Sequence, residues 1–73
     1  MTYKSNRTFN LLADNPEEGI SCQEITICED DRLNIIHKIK DLWSREIEYW
    51  QTNDGWFLKI TSDNIQYFYK EEE

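Results

Sequence analysis

Residues 31–51 read DRLNIIHKIKDLWSREIEYWQ, and whether they coil or extend decides the architecture of the chain. At about 100° per residue, Ile35, Ile36, Ile39, Leu42, Trp43, Ile47, Tyr49 and Trp50 gather on one broad arc. The opposite arc holds Asn34, His37, Lys38, Asp41, Ser44, Arg45, Glu48 and Gln51, with no apolar residue among them. Lys38, Asp41, Arg45 and Glu48 alternate in sign along it, as weakly paired charges on a solvated helix face do. Glu29, Asp30 and Asp31 supply an N-cap and negative charge at the positive end of the helix dipole, and Asn53-Asp54-Gly55 supplies a stop. The pattern predicts a helix over residues 31–51.

Past Gly55 the apolar period drops from 3.6 to 2. Trp56, Leu58 and Ile60 alternate with polar or outward positions, as do Ile65, Tyr67 and Tyr69. A two-residue turn at Asp63-Asn64 suits a hairpin, since both residues tolerate positive φ. That register sets Ile60 opposite Tyr67 and Leu58 opposite Tyr69, which makes one face wholly apolar. Ahead of the helix, residues 8–12 and 20–28 read as a second hairpin around an Asn15-Pro16 loop, with Ile25 and Ile27 inward. Leu11-Leu12-Ala13 could instead belong to a short helical turn. The resulting order is ββαββ, an α+β two-layer domain in which one helix lies across an antiparallel sheet of about four strands.

Seventy-three residues allow one domain, spanning 1–73, with Glu71-Glu72-Glu73 a fraying tail. A chain of this size buries only roughly 60% of the surface its unfolded form exposes. Aromatic residues make up 14% of it, too many for a disordered chain. The longest apolar runs are three residues, so no segment reads as a membrane span or a signal-peptide core. Cys22 and Cys28 would stand roughly 20 Å apart on an extended strand, beyond disulfide reach. Two free thiols suit a reducing, cytoplasmic setting. One histidine and no CxxC pair argue against a metal site, and no motif implies a cofactor.

The charge is unevenly placed. Fifteen acidic residues against eight basic ones leave a net charge of -7. Between Thr8 and Asp31 there is no Lys or Arg, while Asp14, Glu17, Glu18, Glu24, Glu29, Asp30 and Asp31 stand in that stretch. A solvated acidic face that keeps a small protein dispersed would look like this. So would a surface steered toward a basic partner, such as a nucleic-acid-binding enzyme whose groove accepts carboxylates in place of phosphates. Small phage anti-defence proteins that mimic nucleic acid work in that way, and composition alone suggests the analogy.

The expected register leaves Phe57 and Phe68 on the outer sheet face beside Lys59 and Lys70. Aromatics interleaved with lysines can stack single-stranded bases, but the overall negative field opposes phosphate. Burial against a protein, either a target or a second copy of the chain, fits better. Glu46 falls inside the apolar helix arc, where desolvation would raise its pKa, and His37 falls on the polar face. No second group converges on either, and there is no phosphate loop, nucleophile elbow or zinc-protease motif. The sequence therefore predicts a non-catalytic, acidic protein-interaction module acting as an inhibitor or regulator. Its expected contacts are the seven carboxylates with Phe57 and Phe68. The alternative is a small structural or regulatory subunit that self-associates or docks through the sheet face.

Overall fold

A computed structural model describes residues 1–71. It contains seven strands: β1 (Thr2–Ser5), β2 (Phe9–Asn15), β3 (Ile20–Ile27), β4 (Arg32–Lys40), β5 (Glu48–Thr52), β6 (Phe57–Ile60) and β7 (Phe68–Lys70). Two short 3-10 turns, Pro16–Glu18 and Ile65–Tyr67, complete the regular structure. Every strand pairing is antiparallel, and the sheet order is β3-β2-β6-β5-β4-β1-β7. The expected α+β, ββαββ architecture is overturned, because there is no α-helix among the described residues.

Residues 31–51 form a β-hairpin rather than a helix. The cause is a bulge: Ile35 pairs with Thr52 but His37 pairs with Gln51, so Ile36 is an extra residue in β4. Before the bulge, Leu33 and Ile35 face the core; after it, Lys38 takes the inward place opposite Trp50, and Ile39 opposite Tyr49 turns outward. One inserted residue in a period of two leaves isoleucines at 35, 36 and 39, the i, i+1, i+4 spacing of a helix. The β-branched and aromatic content of the stretch favours the extended form. The supposed capping residues have other work. Glu29, Asp30 and Asp31 build the β3–β4 turn, where the Asp31 carboxylate accepts from Cys28 N at 2.8 Å and Asp30 has φ 67°. Asn53-Asp54-Gly55 turns β5 into β6, with Gly55 at φ 93° and Trp56 N donating to Thr52 Oγ1 at 3.1 Å.

The second expected hairpin is also absent. β6 lies between β5 and β2, and β7 pairs with β1, so neither Ile60–Tyr67 nor Leu58–Tyr69 is a partnered pair. The first hairpin is present as β2 and β3, with Phe9 opposite Ile27 and Leu11 opposite Ile25 on the inner face. Its loop is shorter than expected, since Ala13, Asp14 and Asn15 belong to β2.

The sheet curls on itself. Four strands separate β2 from β7, which in a flat sheet would set them about 24 Å apart. The rings of Phe9 and Phe68 are nevertheless 5.4 Å apart between centroids. An aromatic chain explains the closure: Tyr3 meets Trp50 at 4.7 Å, Trp50 meets Phe68 at 5.2 Å, and Phe9 meets Tyr67 at 4.8 Å. Leu11, Ala13, Ile27, Ile35, Leu58 and Ile60 fill the rest of the concave face. Lys38 covers one opening of this core, its ammonium 4.4 Å from the Trp50 ring and 4.6 Å from the Tyr3 ring. Glu71, expected in a frayed tail, is tied down by a backbone bond to Thr2 O and by Arg32 at 2.6 Å; Glu72 and Glu73 lie outside the described residues.

Candidate functional site

Curling consumes the inner face, so any contact surface must lie on the tips, the outer face or the edges. The β4–β5 tip is the most conspicuous. Leu42 and Trp43, placed in the core by the helical reading, stand 94% and 96% exposed there. The loop that carries them is not loose. The Asp41 carboxylate accepts from Trp43 N at 2.7 Å, from Ser44 N at 3.3 Å and from the Tyr49 hydroxyl at 3.2 Å. Asp41 N donates in turn to Ile47 O at 3.0 Å, closing the base of the loop. The amide of Trp43 above all holds the Asp41 carboxyl below its ordinary pKa, while partial burial and the nearby carboxylate push the Tyr49 phenol up. The Asp41…Ser44 spacing is the signal that could have exposed this site, because such a side chain competes with a helix for the backbone N–H groups. Glu46, expected among the apolar helix residues, is exposed on the same loop, and His37 is exposed on β4.

The outer face of the sheet carries a shallow groove beside this tip, lined by Asp14, Pro16, Ile39, Tyr49 and Phe57. Phe57 is therefore on the outer face, half-buried. Phe68 is not. It is 9% exposed and packs between Phe9 and Trp50, so its expected place on a contact surface is corrected: β7 pairs with β1 and turns this ring inward.

The carboxylates divide into two kinds. Asp14 caps a bulge: Ser21 and Cys22 of β3 stand opposite Asp14 alone, Cys22 has φ 51°, and its N–H donates to Asp14 Oδ1 at 2.6 Å. Asp31 closes the β3–β4 turn, and Glu17 Oε2 lies 3.2 Å from where a Cβ at Gly55 would stand. Asp14 and Asp31 serve the fold, whereas Glu17 is itself exposed. Glu18, Glu24, Glu29 and Asp30 are exposed, with only Glu24 held by a neighbouring side chain, at 3.2 Å from Asn10 Nδ2. They mark out β3 from end to end, a length of about 26 Å for eight residues. The sequence stretch without a cation is thus an edge strand bordered by acid rather than one compact patch.

No family model, curated protein or solved structure matches this chain. Function must be argued from the geometry. No helix among the described residues is long and apolar enough to cross a membrane. Among the same residues no group of three or more His, Cys, Asp or Glu is arranged to hold a metal ion. Cys22 and Cys28 are both free and exposed.

Proposed function

We propose that this protein is a non-catalytic interaction module, an inhibitor or regulator that occupies a basic surface of a partner protein. One observation carries the reading: Leu42 and Trp43 are held in solvent on a turn whose conformation Asp41 already sets. A large aromatic side chain presented without further ordering is the kind of anchor that dominates protein interfaces. The net charge and the acid-bordered β3 edge supply the sign of the partner, by steering a basic surface toward the anchor. A nucleic-acid-binding enzyme, its groove taking carboxylates for phosphates, is the partner class this favours. The two exposed thiols suit a reducing compartment, so the cytoplasm is the proposed setting.

The test is capture on the immobilised protein from nuclease-treated lysate, eluted in steps of rising salt. A discrete basic protein released by salt, and held at least about thirty-fold less tightly by a Leu42→Ser/Trp43→Ser double variant, is expected. Capture that responds neither to salt nor to the double variant would overturn the reading.

A second reading, self-association or permanent docking through the outer face, is favoured by the groove at Phe57 and by the half-exposed Leu12, Ile36 and Ile39. An apolar interface of that kind would survive high salt, whereas electrostatic capture weakens with it.

A further inference from the structure

We propose that the free edge of β3 receives an extended segment of the partner as an eighth strand, a segment that alternates basic and apolar residues. Three observations converge on this. First, β3 ends the sheet, so alternate N–H and C=O groups along it have no strand to pair with. Second, Gln23, Glu24 and Thr26 are exposed between the Cys22 bulge and the buried Ile27, and this four-residue run contains neither Pro nor Lys nor Arg. Third, the two faces of that run differ. Ile25 points inward and is only partly covered by the core, while Glu24 and Thr26 point outward.

A strand added here would bring its own alternate side chains beside these two faces. Apolar residues on one side would complete the cover over Ile25. Basic residues on the other would meet Glu24, with Glu18 beyond one end of the strand and Glu29 and Asp30 beyond the other. Main-chain pairing gives such a contact its affinity, and the alternation gives it selectivity. The positive charge of the segment follows from the interaction-module reading above; the strand pairing does not depend on it.

The probe is an eight-residue peptide of alternating lysine and valine, with a control in which alternate backbone nitrogens are methylated. The control keeps charge and composition but cannot pair as a strand on its methylated edge. Hydrogen–deuterium exchange, read amide by amide, should slow at least about tenfold at alternate positions of residues 23–26 with the first peptide and stay unchanged with the second. A Glu24→Lys/Glu29→Lys/Asp30→Lys variant, checked for intact fold by circular dichroism, should bind the first peptide about tenfold less tightly. Equal binding of both peptides, binding without slowed exchange in β3, or no binding at millimolar peptide would each overturn the proposal. The assay involves neither Leu42 nor Trp43 and no natural partner. Its failure would leave anchoring by the tip intact, and loss of tip-dependent capture would leave the β3 result standing.

Discussion

The sheet has two edges, and they are finished in opposite ways. β7 is three residues long, buries Phe68 against Phe9 and Trp50, and is followed by Glu71, which Arg32 and Lys4 hold at 2.6 and 3.9 Å. β3 is eight residues long, and seven of them, from Ile20 to Thr26, reach solvent or are only half covered. A short strand with a lysine and a ring turned into the core resists pairing with another chain. A long strand guarded only by carboxylates and one bulge resists neutral or acidic chains and admits basic ones. One edge belongs to the core and the other is left to charge.

That contrast can be broken most directly through the side chains under each edge. Phe68→Ala should cost roughly 3–5 kcal/mol, as removal of a buried aromatic does, and in so small a domain should show as a large fall in the urea midpoint or outright unfolding. Ile25→Ala, beneath the β3 edge, should cost less than half as much, because its side chain is already partly in water. Equal losses at the two positions would mean that the edges are closed alike.

The next effects concern the bulge. Cys22→Gly should raise stability by about 1 kcal/mol, since glycine adopts the left-handed backbone at φ 51° without the cost a side chain carries there. Asp14→Ala should lower it by about 1 kcal/mol through loss of the carboxylate that accepts the Cys22 amide. Thermal unfolding of the two variants, and of the pair combined, checks both signs. Arg32→Ala, at the β7 edge, should cost less than about 1 kcal/mol, because its side chain is 63% exposed and Lys4 remains near Glu71.

The smallest expected effect is local to the tip. The Asp41 carboxyl titrates below its ordinary range, so the order it lends the loop is complete above that range. It is lost as the pH falls through the lowered value. Amide shifts of Trp43 and Ser44 followed through an acid titration should move together with that proton, and in Asp41→Ala they should not respond.

The legible parts of the chain were those decided by local pattern. The β2–β3 hairpin followed from Asn15-Pro16, Gly19 and the alternation through Ile25 and Ile27. The uneven charge was visible at once, although not that two of its carboxylates, Asp14 and Asp31, build a bulge and a turn. The failures have two physical causes. At residues 31–51 a single inserted residue, Ile36, made a strand imitate helical spacing, and a seven-residue loop behind it supplied further apparent helix positions. At residues 56–70 two expected strands were joined to each other, but Ile65–Tyr67 is a 3-10 turn, β6 pairs with the preceding β5 and the distant β2, and β7 pairs with the distant β1. The tip was missed for the first reason and Phe68 was misplaced for the second. Periodicity states that a face exists; it does not state which strand will lie beside it.

The position of β1 has a consequence in time. It sits between β4 and β7, with Tyr3 paired to both Leu33 and Lys70. Closure of the sheet therefore waits on a pairing between segments more than sixty residues apart, since Tyr3 must be held beside Lys70 before Phe68 can pack on Trp50. Folding should accordingly be slow for a chain of this size, on the order of milliseconds to seconds, as in other sheets built from distant pairings. Until that pairing forms, Phe9 and Trp50 lack the cover of Phe68, and that interval is when the folding chain most needs the mutual repulsion of its carboxylates.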